Sequence, residues 1–98
     1  MTLRLAFTRL AKLDLDALIV RIGEDDPATA AKVASRILDR IRLLRDQPEI
    51  GREGRRRGTR ELVVEGTRHI VAYRIDAAQH QIQILRILHT SRRWPRRL

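Results

Sequence analysis

Cysteine is missing from this chain altogether. That excludes disulfides and every metal site built on thiolate ligands. The three histidines, at positions 69, 80 and 89, show no metal-ligand spacing, so neither a metal nor any cofactor is expected. The longest apolar runs fall far short of the roughly 20 residues that a membrane span requires. No charged segment followed by an apolar stretch opens the chain. The expected setting is therefore the cytoplasm, with no membrane partner. The glycine-containing stretch Pro48 to Thr59 lacks a Gly-Lys-Ser/Thr ending and does not lead from a strand into a helix, which excludes a phosphate-cradling P-loop. Acidic residues are scarce beside basic ones, 12 against 21, for a net charge of +9.

What is present is a chain of 98 residues, the length of one domain. A chain of this size buries only about 60–70% of the surface its unfolded form exposes. It has no room for a second domain flanking a deep cleft, so a site must lie on an open face or be completed by a partner. The positive charge is lopsided: residues 1–47 carry nine Lys/Arg against seven Asp/Glu, whereas residues 48–98 carry twelve arginines against five acidic residues. Such asymmetry points to a nucleic-acid or acidic-protein partner, and arginine suits bidentate contacts to phosphate or carboxylate. Each arginine taken singly also reads as ordinary solvated surface.

Leu3 to Phe7 alternates as a short strand. Thr8 is a helix N-cap, and Ala11, Leu15, Leu18, Ile19 and Ile22 repeat along one helical face as far as Gly23 and the acidic Glu24-Asp25-Asp26. Asp26-Pro27 opens a second helix, with the carboxylate capping free N–H groups and proline supplying a preset φ. Ala30, Ala34, Ile37, Leu38, Ile41 and Leu44 carry its apolar face to about Arg45, and Pro48 stops it. Residues 48–59 read as a long mobile connection rich in arginine. Strands follow at about 60–65, 69–75 and 81–88, joined by turns at Glu65-Gly66-Thr67-Arg68 and Asp76 to His80. The expected architecture is α+β, in the order β-α-α-β-β-β. A helical hairpin packs on a small, largely antiparallel sheet, and a basic C-terminal tail follows.

These elements also carry a family likeness. Asp25-Asp26-Pro27 with Ala30-Ala31, then Leu44 through Pro48 to Gly51-Arg52, then Gly58-Thr59-Arg60-Glu61-Leu62 stand in a characteristic order. Val71-Ala72-Tyr73-Arg74, Ile84 to His89 and Arg93-Trp94-Pro95 complete it. In that order and spacing the sequence resembles the ParE/RelE superfamily of bacterial type II toxin–antitoxin toxins, and within it the ParE-like branch. Two departures stand out: Arg68-His69 where Pro-Tyr is common, and Thr90-Ser91 where Gly-Ala is common. The resemblance implies a growth-inhibiting toxin held in a hetero-oligomer by a cognate antitoxin. It implies DNA gyrase as the target of a ParE-like member, or ribosome-bound mRNA as the substrate of a RelE-like one.

Metal-free RNA cleavage needs a base, an acid and cations at the phosphate. His89 with Arg60, Arg74 or Arg86 would have to supply them. The set is incomplete by the standard of RelE-like nucleases. Ile70 and Val71 stand where an arginine is expected, and no tyrosine follows His89. Tyr73, the one tyrosine, reads as a half-buried structural phenol, and His69 and His80 as surface or turn residues. The favoured reading is a binding protein without catalytic residues, whose target surface is His89, Arg92, Arg93, Trp94, Arg96 and Arg97. Tryptophan and arginine are enriched at the energetic centres of interfaces. The antitoxin would meet apolar positions off the main helical stripes, Leu10, Leu13, Val33 and Leu43, and the arginines of the connection, Arg52, Arg55, Arg56 and Arg57.

Overall fold

The computed structural model describes residues 2–95. Strand β1 (Arg4–Phe7) leads into helices α1 (Arg9–Asp25) and α2 (Pro27–Leu43), followed by strands β2 (Arg52–Glu53), β3 (Arg60–Val64), β4 (His69–Asp76) and β5 (Gln81–His89). The five strands form one sheet in the order β1-β5-β4-β3-β2. β1 runs parallel to β5 and every other pairing is antiparallel. This is the expected α+β arrangement of two helices on a mostly antiparallel sheet, with β2 as an addition.

Local chemistry sets the helix limits. The Thr8 hydroxyl accepts from the Ala11 N–H at 3.1 Å and donates to the Leu85 carbonyl at 2.8 Å, so one side chain caps α1 and ties it to β5. α1 ends at Asp25, within the Gly23 to Asp26 stretch expected to stop it. Asp26 ends it, donating its N–H to the Ile22 carbonyl at 3.0 Å. The same residue starts α2, its carboxylate accepting from the N–H groups of Ala28 and Thr29 and from the Thr29 hydroxyl. Those hydrogen bonds, the Thr29 hydroxyl's first, hold the Asp26 carboxyl below the usual carboxylate range.

The core lies between the helices and one sheet face. Ile37, Ile41 and Leu44 of the second helical stripe are fully buried against Leu62, Val64, Val71, Tyr73, Ile82 and Ile84. Each such aliphatic side chain contributes about 1.5–3 kcal/mol on leaving water. From α1 only Ala11 and Leu18 are fully buried, with Leu15 and Ile22 packed at the margin. Ile19, expected on that face, is exposed. Val33, expected to be free, packs against the core instead. The exposure of Ile19 follows from a narrow contact, in which a sheet of short strands covers less of α1 than its apolar residues span.

The connection at 48–59 is pinned where a mobile loop was expected. β2 pairs Arg52 with Glu61 and Glu53 with Arg60. The buried Tyr73 hydroxyl donates to the Pro48 carbonyl at 2.7 Å and accepts from the Gly51 N–H at 2.9 Å. A Cβ at Gly51 would lie 2.5 Å from that hydroxyl, so the approach requires glycine. Loop backbone groups close to a core need partners, and tyrosine and arginine side chains from β3 and β4 supply them.

β4 and β5 do not pair in a single register. Tyr73 stands opposite Ile84 but Ala72 opposite Arg86, leaving Leu85 as an extra residue. This bulge is held from outside the sheet. Thr8 binds the Leu85 carbonyl, while Asp14 of α1 accepts from the Arg86 guanidinium at 2.7 and 2.9 Å and from the Ile87 N–H at 2.9 Å. No helix among the described residues is long and apolar enough to cross a membrane.

Candidate functional site

Beyond the bulge, the register places the first residue of β4, His69, directly opposite the last of β5, His89. The imidazoles meet edge to face with centroids 5.4 Å apart. His69 is a buried strand residue, 5% exposed, where a surface or turn position was expected. Neither of its ring nitrogens has a hydrogen-bond partner among the described residues. Burial first, then the neighbouring His89 and the charge of Arg21, push its pKa down to about 4. It is neutral at physiological pH.

His89 sits half-buried at the rim. Its Nδ1 accepts from the Ser91 backbone N–H at 3.1 Å and lies 2.8 Å from the Ser91 hydroxyl. An acceptor Nδ1 places the proton of the neutral ring on Nε2. Burial and the charges of Arg21, Arg92 and Arg68 hold its pKa below the ordinary value.

Two clefts, of about 310 and 450 Å³, share Arg21, His69, His89 and Arg92 as lining. The smaller adds Arg86 and Arg93, and the larger adds Arg68, Thr67 and Ser91. Among the described residues only Arg86 of these arginines is neutralised by a carboxylate, that of Asp14. The pair of neutral imidazoles is thus ringed by guanidinium groups whose charge faces the clefts. Such a surface favours an anion and disfavours a second cation.

The residues singled out in the sequence fall in different places. Of Arg60, Arg74 and Arg86, only Arg86 reaches the clefts beside His89, and Asp14 holds it in a bidentate clamp that raises its pKa further. Arg60 donates to the carbonyls of Glu49 and Gly51, and the exposed Arg74 bonds Gln83. The three do not converge on His89. In the tail, Arg92 and Arg93 line the clefts. Trp94 turns away to lie under Arg55, whose Cζ is 3.7 Å from the ring centroid, and Arg56 donates to the Pro95 carbonyl at 2.6 Å. Arg96 and Arg97 lie outside the described residues. Arg52 and Arg55 converge on the buried Glu61, whose carboxylate also accepts from the Arg55 N–H at 2.7 Å. Arg57 is exposed. Leu10, Leu13 and Leu43 are exposed as expected.

Sequence reasoning missed Arg21, Arg68 and His69. The departure at Arg68-His69 from the common pattern was the available signal, and the structure puts both residues on the cleft.

The comparisons with known proteins agree with this fold. The family described as the ParE toxin of the type II toxin–antitoxin system parDE matches residues 5–94. Y4kP of Sinorhizobium fredii is 37% identical over 92 residues, covering 94% of this chain and 93% of that protein. Among solved structures, the chromosomal ParDE toxin–antitoxin system from P. aeruginosa superposes with a TM-score of 0.81 at 28% identity, over 92% of this chain and 98% of that one. The toxin–antitoxin complex RelBE2 from Mycobacterium tuberculosis gives a TM-score of 0.61 at 29% identity, over 91% and 99%. With nearly its whole length matched, the chain belongs to the ParE toxin family of type II toxin–antitoxin systems.

Proposed function

We propose that this toxin acts by binding and poisoning DNA gyrase, and that a cognate antitoxin neutralises it by covering the helical hairpin. The observation that carries the non-catalytic reading is the fate of the strand arginines. Arg60 and Arg74 are committed to Glu49, Gly51 and Gln83, away from His89. The closer likeness to a ParDE structure than to a RelBE one supports the same branch. For the antitoxin, both solved relatives are described as toxin–antitoxin assemblies. The outer face of α1 carries Leu10, Leu13 and Val20, exposed at helical spacing. An amphipathic peptide laid along that stripe would bury it.

The test is a supercoiling assay with purified chain and gyrase on relaxed plasmid, scoring supercoiled and linear DNA. Loss of supercoiling with accumulation of cleaved plasmid is expected. Unaffected gyrase, with a folded protein that arrests growth, would sink this target. A second reading, ribosome-dependent mRNA cleavage, draws on His89 and its Nε2 proton beside Arg21 and Arg92. Growth arrest that persists in His89→Ala would remove it.

A further inference from the structure

We propose that the cleft at His69 and His89 binds a phosphate-class oxyanion, gripped by Arg21, Arg68, Arg92 and Arg93. The proposal goes beyond the choice of target, since it concerns binding by the isolated chain.

Three independent features meet at this place. The first is convergence: α1 contributes Arg21, the turn before β4 contributes Arg68, and the segment after β5 contributes Arg92 and Arg93. Residues distant in sequence have been brought to one concavity, with the hydroxyl-bearing Thr67 and Ser91 on its rim. The second is the absence of internal neutralisation among the described residues. Asp14 is the carboxylate lining these clefts, and Arg86 already holds it in a two-point clamp. The third is His69, nine-tenths buried, part of both cleft walls and unpartnered at both nitrogens among the described residues. A buried polar group without a partner calls for a physical explanation, and a binding site provides one.

The ligand class follows from donor geometry. A carboxylate offers two oxygens in one plane and a single charge. Phosphate offers up to four oxygens arranged tetrahedrally and up to two charges, which suits guanidinium forks arriving from three segments together with the His89 Nε2–H. The charged and titratable groups facing His89 are Arg21 and Asp14 of α1, His69 of β4, Arg86 of β5, and Arg68, Arg92 and Arg93 of the flanking segments. Burial and, after it, the charges of Arg21, Arg92 and Arg68 hold the His89 pKa below its ordinary value. Among the described residues every unpaired group is cationic or neutral, so a bound anion offsets the part that those charges contribute. Occupancy therefore raises its proton affinity, and by linkage binding tightens as pH falls.

The experiment is titration of the purified full-length chain at constant ionic strength with pyrophosphate, a 5′-phosphorylated single-stranded oligonucleotide and an oligoglutamate peptide. Affinity is read by calorimetry, and the His89 ring by NMR. Saturable pyrophosphate binding with an upward shift of the His89 titration is expected. Arg21→Gln or Arg92→Gln should weaken it about tenfold or more. Arg74→Gln, with the same charge change about 16 Å along β4, should leave it unaltered. If pyrophosphate binds and the oligonucleotide does not, the source is a free phosphate compound; if both compete, it is a strand phosphate. Equal losses in all three variants would show diffuse attraction and overturn the site. Tighter binding of oligoglutamate than of pyrophosphate, or no saturable binding, would overturn the phosphate assignment.

Discussion

At the scale of single residues, His69 shows how burial converts a common side chain into a stability sensor. Its folded pKa of about 4 lies below the ordinary value of 6.5. Above pH 6.5 both folded and unfolded forms are neutral and the contribution is fully present. As pH falls from 6.5 toward 4, the unfolded chain takes up a proton that the folded chain refuses, and stability drops. The expected loss is on the order of 2 kcal/mol after allowance for partial hydration of the site. Urea midpoints measured between pH 7 and 4 should show this slope, and His69→Phe should flatten it. An identical slope in both proteins would place the sensitivity elsewhere. Tyr73 and Glu61 are the counterexamples. Each is a buried polar residue whose partners, Gly51 with Pro48 and Arg52 with Arg55, are on hand.

At the scale of elements, the determining contact is between α1 and the bulge in β5. Asp14 satisfies Arg86 and the Ile87 N–H together, and all three groups are largely withdrawn from water. Asp14→Ala leaves a cation and an amide without partners there, and should cost about 2–3 kcal/mol. The distinctive sign would be hydrogen exchange. The Ile87 amide should lose protection well before the amides at the Ile82 end of β5 do. Uniform loss along the strand would mean that the clamp supports the fold generally rather than the bulge in particular. The bulge matters because it sets the histidine pair. Without the extra Leu85, the register from Asp76↔Gln81 to Tyr73↔Ile84 would continue, and His69 would face Leu88. His89 would then fall on the other face of the sheet, since a one-residue slip reverses every later side chain.

At the scale of the whole molecule, charge and apolar surface are segregated. The arginine-ringed clefts lie at the His69–His89 end of the sheet, while Arg55 and Arg56 hold Trp94 and Pro95 and Arg52 pairs with Glu61. The outer stripe of α1 belongs to neither. If it is the antitoxin's seat, the double substitution Leu13→Lys with Val20→Lys should weaken antitoxin binding by about tenfold or more. The urea midpoint should hardly change, because both side chains are already exposed. Undiminished affinity measured by calorimetry with the cognate antitoxin would move that seat elsewhere.

Local chemistry was legible in the residues themselves. Thr8 and Asp26-Pro27 announce their helices because a cap is a contact across three residues, and the β-branched runs at about 60–65, 69–75 and 81–88 announce strands, found within a residue or so at each end. The family order was legible too, because it is spread along the chain. The candidate site was not. Arg21 on a helix, His69 after a turn and His89 at a strand end are 20 to 68 residues apart, and no local rule joins them. Their meeting depends on a bulge held by Thr8 and Asp14 from another layer. Sequence alone therefore determined every element but β2, their order and the excess of positive charge, all of which rest on short-range contacts and composition. Tertiary structure decided which arginines are neutralised and which face a cleft, because strand register and carboxylate partners are fixed only when the layers pack.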